Sequence, residues 1–278
     1  MVSVEKLIAD TCDLPTIPTV ALKVMELMEE ESTSAADLKR VIEVDPALAA
    51  RVLKISNSAL YGCRGSVTSL PTAIMVMGFD TLKSVVIAAS TRSIYKRFGL
   101  TEKFLWEHSL VNGLASRAIA AKVGLGKLDE AFVAGLLHDI GKVVIDNSAP
   151  AQYQMLVSKV FCEGLDFEDA ERAMFGFSHV DVGAMVAKKW KLSEELEAVI
   201  TCHHDFTRQS DPYLAKLAAA VNLANGVSRL LGVGGEFQGG VHLDRLESFD
   251  YLALTRDGLN DMIDEVQESY RNEKTVLC

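Results

Sequence analysis

Apolar residues recur at intervals of three and four along most of this chain, and strict alternation of apolar and polar residues is nearly absent. Intervals of three and four place apolar side chains on one face of a helix, whereas strict alternation marks a half-buried strand. One such helical stripe near the N-terminus consists of Val20, Val24, Leu27 and Met28. The pattern therefore predicts an all-α protein.

Local signals predict where several N-terminal helices begin. Ser34, followed three residues later by Asp37, predicts a capping box, and Asp45 before Pro46 predicts a second helix start. The stretch over residues 69–90, "SLPTAIMVMGFDTLKSVVIAAS", predicts two helices separated at a glycine.

The two helices over residues 69–90 have two interpretations, a DNA-binding helix-turn-helix or an ordinary pair of antiparallel helices. The second helix offers only Lys83 and Arg92 as cations. Two cations are too few to anchor a protein on phosphates, so we favour the antiparallel pair.

A second series of helical stripes begins after residue 100. The stripes cover residues 106–122, 129–137, 151–163, 166–175, 179–190, 194–203 and 213–231. Five glycines between Gly232 and Gly240 then predict a flexible loop, and one more amphipathic helix follows in the tail. We expect an N-terminal helical subdomain over residues 1–100, a multi-helix bundle over residues 101–231, and a loop with a C-terminal helix over residues 232–278.

The net charge and the lengths of the apolar runs limit the kinds of partner that the protein is expected to bind. The 278 residues carry a formal net charge of -10, and no basic stripe is present, which argues against binding to a nucleic-acid backbone. No apolar run approaches the roughly 18 residues that a membrane span needs. We therefore expect a cytoplasmic protein with no nucleic-acid or membrane partner.

The cysteines are five in number, widely spaced, and without a C-x-x-C pair. This pattern indicates reduced thiols rather than a disulfide framework or a thiolate zinc site. Cys202 lies beside other candidate ligands, but a free Cys is usually a small buried hydrophobe.

The candidate chemistry begins in "FVAGLLHDIGK", residues 132–142, where His138 and Asp139 interrupt an apolar helix. A buried carboxylate is costly unless a cation meets it. Five of the six histidines fall in this second part of the chain, at His108, His138, His179, His203 and His204; the sixth, His242, lies outside the pattern and receives no role.

The spacing of these histidines suggests a shared metal ion. The gaps of 30, 41 and 24 residues between His108, His138, His179 and His203 match one or two helix-and-turn steps, so several helices can each contribute one ligand. The alternative is that each histidine is a separately satisfied core residue. Nitrogen and oxygen donors without thiolate favour iron, manganese, magnesium, nickel or zinc over soft copper.

Several motifs carry a resemblance to a known family. "HDIGK", with His108 upstream in "FLWEHS" and a downstream "HHD", resembles the HD superfamily of metal-dependent phosphohydrolases. The longer segments "LPTIPTVALKVMELM", "VIEVDPALAARVLKISNSALYG" and "ERAMFGFSHVDVGAMVAKKWKLSEELEAVITCHH" are similar to its HDOD branch, over residues 12–230. The resemblance implies an HD-type helical bundle.

The resemblance also implies a ligand set of one or two divalent ions. His108, His138 and Asp139 match the ligands of a first metal, and Asp139 is able to bridge to a second. Further ligands of two-metal members, such as the HD-GYP phosphodiesterases, are matched by His179, His203 and His204.

Two further positions bear on whether the site is catalytic. Asn225, in "LANG", stands where the superfamily normally has an Asp, and a neutral amide oxygen should hold the first metal more weakly. Lys142 matches a position that contacts substrate phosphate in active relatives, although a solvated lysine at a helix end is an equal alternative. In an active enzyme, Asp139 and Lys142 would be the catalytic residues.

Two functions of different kinds remain open. The first is a signal-transduction or regulatory module that recognises a signalling protein or a nucleotide, and the second is a metal-dependent phosphohydrolase acting on a cyclic dinucleotide or another nucleotide phosphoester. We favour the module because Asn225 departs from the ligand pattern and the segment after His204, "DFTRQSDPYLAK", lacks a Gly-Tyr-Pro element. The HDOD family is also largely regarded as non-catalytic. Helical surfaces of this kind often pair, so a homodimer is compatible with the sequence.

Overall fold

The computed structural model describes residues 4–15, 18–28, 30, 32–58, 67–91, 94–95, 100–233 and 241–277. These described residues form helices joined by turns and contain no strand, which confirms the all-α prediction. The chain divides into a larger unit, Met1–Thr16 with Tyr95–Ile263, and a smaller unit, Ile17–Ile94 with Asp264–Cys278. The first helix, α1 (Val4–Thr11), belongs to the larger unit.

Five helices form the body of the smaller unit. They are α2 (Thr19–Met28), α3 (Ala35–Ile42), α4 (Pro46–Ser56), α5 (Leu70–Met77) and α6 (Phe79–Thr91). Their apolar faces meet in one core, where Val24, Leu38 and Val86 are fully buried. Of the predicted α2 stripe, Val20 and Leu27 also pack against this core.

The predicted helix starts of the smaller unit are confirmed. The Ser34 hydroxyl accepts a hydrogen bond from the Asp37 N–H, while the Asp37 carboxylate accepts one from the Ser34 N–H. The Asp45 carboxylate likewise caps α4 by accepting from two backbone N–H groups. Of the two cations considered for the helix-turn-helix interpretation, Arg92 lies outside the described residues.

The larger unit holds most of the remaining helices. They are α7 (Leu100–Lys122), α8 (Leu128–Leu137), α9 (Ile140–Ser148), α10 (Pro150–Glu163), α11 (Phe167–Phe175), α12 (His179–Trp190), α13 (Glu194–Cys202), α14 (Pro212–Leu230), α15 (Glu247–Tyr251) and α16 (Arg256–Leu277), of which α16 continues into the smaller unit. Among the described residues, no helix combines the length and apolar character needed to cross a membrane. Most of the glycine-rich segment, residues 234–240, lies outside the described residues.

The helices α7 and α8 cross closely at Gly135. A Cβ atom built at Gly135 would lie 2.7 Å from the Asn112 carbonyl oxygen and would overlap the Ser116 hydroxyl. Only glycine permits this approach, because protein interiors leave no spare volume for a methyl group. The crossing brings the middle of α7 against the helix that leads into His138.

A second close crossing joins α9 to α12 at Gly141. A Cβ atom at Gly141 would fall inside the van der Waals radius of the His179 carbonyl oxygen and 2.7 Å from its carbonyl carbon. The obstruction is backbone, which cannot rotate away as a side chain can. Gly141 therefore sets the separation of the two helices whose first turns carry Asp139 and His179.

Replacing Gly141 by Ala is expected to destabilise the protein by about 1–3 kcal/mol or more, because overpacking forces α9 and α12 apart. Urea unfolding followed by circular dichroism measures the loss. Gly258→Ala is the matched control, since its Cβ would meet only the flexible Thr255 hydroxyl at 3.0 Å and should change stability by less than about 1 kcal/mol. Equal stability of the two variants would contradict the role given to the crossing.

Candidate metal centre

The predicted ligands all lie in the larger unit, on segments that are distant in sequence. His108 lies within α7, His138 and Asp139 form the junction of α8 and α9, His179 opens α12, and the pair His203–His204 follows α13. Most of their side chains are closed off from solvent. His108, His138, Asp139, His179 and His203 are 0–3% exposed, whereas His204 is partly exposed.

The two carboxylate oxygens of Asp139 divide the histidines into two clusters. Oδ1 lies 3.3 Å from His179 Nε2 and 3.5 Å from His203 Nε2. Oδ2 lies 3.6 Å from His108 Nε2 and 3.2 Å from His138 Nε2. We name Asp139, His179, His203 and His204 the Oδ1 cluster, and His108, His138 and Asp139 the Oδ2 cluster; within each, the ligand atoms lie within 4.8 Å of one another.

These separations fit a shared divalent ion. Ligand bonds of about 2.0–2.2 Å place two donors on the same ion roughly 3–3.6 Å apart. Asp139 Oδ1 and His203 Nε2 are buried and, among the described residues, have no hydrogen-bond partner. Buried polar atoms normally have a partner, so a cation would satisfy these two.

The ring nitrogens of two histidines are oriented by backbone carbonyls. His138 Nδ1 lies 2.7 Å from the Gly135 oxygen, and His203 Nδ1 lies 3.2 Å from the Val199 oxygen. A carbonyl only accepts, so each Nδ1 carries the proton, and in the neutral ring Nε2 keeps its lone pair. This is the tautomer that a metal ligand of this kind requires.

Glu171, on α11, is a member of the site that the sequence did not indicate. Its Oε2 accepts a hydrogen bond from the His179 backbone N–H at 2.7 Å and lies 2.5 Å from His179 Nδ1. Burial raises the pKa of Glu171 to about 8, although the Lys142 ammonium opposes the shift. The Glu171 carboxyl group on Nδ1 fixes the orientation of the ring and directs Nε2 toward the Oδ1 cluster.

Lys142 lies inside the site and not in solvent. Its Nζ is 2.7 Å from Asp139 Oδ2 and 4.6 Å from the centre of the Phe167 ring, and the residue is 4% exposed. Burial by itself raises the pKa of Asp139, but His138 and the Lys142 ammonium outweigh burial and hold that pKa well below its usual range. The cation that a buried Asp139 requires is therefore present within the chain itself.

Asn225 lies on α14 between two residues that interact with the histidines. One turn earlier, the Asn222 amide donates a hydrogen bond to the His203 carbonyl at 2.7 Å. One turn later, Arg229 contributes to lowering the pKa of His108. The Asn225 Oδ1 atom is buried and has no hydrogen-bond partner among the described residues, so it is an available neutral donor.

The remaining candidates lie outside the two clusters. Cys202 is buried beside the site but takes a hydrogen bond from the Gln209 amide at 3.2 Å. Cys12, Cys162 and Cys202 are free thiols, while Cys63 and Cys278 lie outside the described residues. His242 is exposed and precedes a short 3₁₀ turn.

The HDOD domain family matches residues 14–206 of the chain, which is well over half of it. A crystal structure of an HDOD domain protein of unknown function from Geobacter sulfurreducens is 25% identical, with a TM-score of 0.80 and coverage of 96% of this chain and 95% of that one. A candidate phosphohydrolase from Shewanella amazonensis, 22% identical with a TM-score of 0.76 and 98% coverage of both chains, shares the fold.

A third solved structure and one sequence relative extend the comparison. A candidate signal transduction protein from Marinobacter aquaeolei is 21% identical with a TM-score of 0.72, over 97% of this chain and 61% of that one. An uncharacterised protein of Treponema pallidum is 24% identical over 220 residues, or 79% of this chain. The matched region spans only 43% of the length of the Treponema protein.

The buried histidines should make the metal-free protein less stable in acid. Burial lowers the pKa of His108 to about 4 despite the nearby Asp139, so as the pH falls the unfolded chain takes up this proton first. The stabilisation that the neutral His108 gives to the folded state is present above about pH 6.5 and is lost as the pH falls toward 4. Between pH 8 and pH 5, wild type should lose on the order of 2 kcal/mol more unfolding free energy than His108→Gln.

Urea unfolding of both proteins in the presence of a chelator measures this difference. Glu171 acts in the opposite direction, because its raised pKa favours the folded state at lower pH, and both proteins contain it. Parallel pH profiles for wild type and His108→Gln would contradict the assignment.

Proposed function

Because the chain belongs to the HDOD family, we propose that it is a signal-transduction or regulatory module in which a divalent cation bound at Asp139 has a structural role. The observation that carries the proposal is the closure of the site. Asp139 and the four most buried candidate histidines are 0–3% exposed, and Lys142 is 4% exposed. A phosphoester must reach the metal to be hydrolysed, and this site offers little surface for it to reach.

The proposed cation would join segments that the chain otherwise brings together only by packing. Its candidate ligands come from α7, from the α8–α9 junction, from α12, and from the end of α13. A cation that binds the folded state alone stabilises that state by mass action. The nitrogen and oxygen donors suit iron, manganese, nickel, zinc or magnesium.

The partner would be a signalling protein or a nucleotide recognised on the helical surface, and a homodimer is compatible with this role. The proposal includes a cytoplasmic location, which is supported by the free thiols of Cys12, Cys162 and Cys202. The Marinobacter relative, named as a candidate signal transduction protein, agrees with a role of this kind.

A metal-dependent phosphohydrolase acting on a nucleotide phosphoester is the second candidate. It is favoured by the two clusters that share Asp139, the arrangement expected of a two-metal site, and by the similar Shewanella protein named as a candidate phosphohydrolase. A bound metal would supply an activated water and a Lewis acid. Lys142 would have to leave Asp139 Oδ2, now 2.7 Å away, before it could hold a substrate phosphate.

Protein loaded with manganese or ferrous iron is expected to release no phosphate above background from a panel of cyclic dinucleotides and other nucleotide phosphoesters. Closure of the site over Asp139 is the physical reason. The measurement is product formation by liquid chromatography, with Asp139→Asn and Asp139→Ala run in parallel and their folding checked by circular dichroism. Turnover by wild type that disappears in a folded Asp139 variant would establish the phosphohydrolase instead.

Chelation is expected to lower the thermal midpoint of protein purified without chelator, because removing the cation withdraws its mass-action stabilisation. A free cation concentration of 100 times its Kd corresponds to about 2.7 kcal/mol. Differential scanning fluorimetry measures the shift, which should vanish in His179→Ala and persist in His242→Ala, whose side chain is exposed and outside both clusters. An unchanged midpoint in wild type would count against the structural cation.

A further inference from the structure

Two ligand atoms of the Oδ2 cluster, Asp139 Oδ2 and His138 Nε2, already have partners. Asp139 Oδ2 is held by the Lys142 ammonium at 2.7 Å. His138 Nε2 lies 3.4 Å from the Asn112 side-chain amide nitrogen, which can donate to its lone pair. The additional α14 ligand expected on this side is the neutral Asn225 and not a carboxylate. A divalent ion here would have to displace two contacts and would gain only one negative charge, that of Asp139 itself.

The Oδ1 cluster differs, because the Lys142 ammonium lies on the other oxygen of Asp139. Asp139 Oδ1 and His203 Nε2 are buried with no hydrogen-bond partner among the described residues. His179 Nε2 and His204 Nε2 are hydrogen-bonded to each other at 3.0 Å, a separation that two donors on one ion would also have. Glu171 contacts Nδ1 of the His179 ring and so fixes the orientation of the ring and its Nε2 atom. An oxygen and a nitrogen without hydrogen-bond partners among the described residues, together with a ring that is already oriented, favour binding here.

The positive charge of Lys142 also favours cation binding in the Oδ1 cluster over the Oδ2 cluster. Lys142 is 4% exposed, and displacing its ammonium from Asp139 would leave a buried charge without its ion pair, which is strongly unfavourable. An ammonium and a divalent cation on the same carboxylate oxygen would also repel each other. Both effects act against the Oδ2 cluster, while the Oδ1 oxygen remains open to a cation.

We propose that the chain binds a single divalent cation in the Oδ1 cluster, through Asp139, His179, His203 and His204, and that the Lys142 ammonium takes the place of a second ion. The inference rests on the metal-binding part of the proposed function and deepens it. Three imidazoles and one carboxylate oxygen suit zinc, ferrous iron or nickel, whereas magnesium prefers a shell of oxygen ligands. Glu171 is a positioning residue that acts through His179.

Chelator-stripped protein titrated with zinc, and with cobalt as a spectroscopic probe, tests the inference. Wild type is expected to bind one equivalent per chain, counted by elemental analysis after dialysis. Lys142→Met, which removes the charge while keeping an apolar side chain against Phe167, is expected to bind a second equivalent. His179→Gln should weaken the single ion by at least about 100-fold, while His108→Gln should leave it bound.

Glu171→Gln tests the positioning role separately. Loss of a partner of this kind typically weakens metal binding by about 10–100-fold. A change confined to the thermal midpoint of the metal-free protein, with the zinc Kd unchanged, would show that Glu171 serves the fold alone. Circular dichroism of each stripped variant confirms that it is folded before titration.

The outcomes distinguish this inference from the function on which it rests. Two equivalents in wild type, or equal loss of binding in His108→Gln and His179→Gln, would overturn the single-ion assignment and leave the structural cation standing. No bound ion in wild type would overturn both.

Discussion

The buried ion pair of Asp139 with Lys142 is the interaction on which the rest of the site depends. A carboxylate at the centre of a helical bundle is tolerable only with a cation against it, and here the cation lies one helical turn away on the same helix. Its presence allows the bundle to fold around Asp139 and the surrounding histidines without any external ligand. It also makes the two carboxylate oxygens unequal, since Oδ2 is paired with the ammonium and Oδ1 has no hydrogen-bond partner in the part of the chain that the structure describes.

The fold supports this centre through backbone contacts as well as through side chains. Glycines at two helix crossings let α7 approach α8 and let α9 approach α12, and these are the helices that carry or adjoin most of the candidate ligands. Backbone carbonyls then set the tautomers of His138 and His203, while Glu171 orients His179. Packing, hydrogen bonding and charge thus act on the same few side chains.

Much of this could be predicted from the sequence, and the reasons for the remainder are physical. Helical periodicity was sufficient for the fold class, and the family followed from long spaced motifs. Glu171 was not foreseen because it lies in a charged helix, "FEDAERAMF", where no local pattern distinguishes a buried acid from a solvated one. The position of Lys142 depends on how α9 packs beside Phe167, which is a tertiary contact with no sequence signature.

The crossing of α9 and α12 at Gly141 has a consequence for ion selectivity. Backbone contact there fixes the spacing of the segments that carry Asp139 and His179, and Glu171 orients the His179 ring, so the 3.3 Å between Asp139 Oδ1 and His179 Nε2 is constrained by the main chain as well as by the side chains. Two ligand atoms held at a constrained separation favour cations of a matching ionic radius over larger ones. Calcium, with ligand bonds of about 2.3–2.6 Å and a preference for six to eight oxygens, would be excluded by size as well as by ligand chemistry.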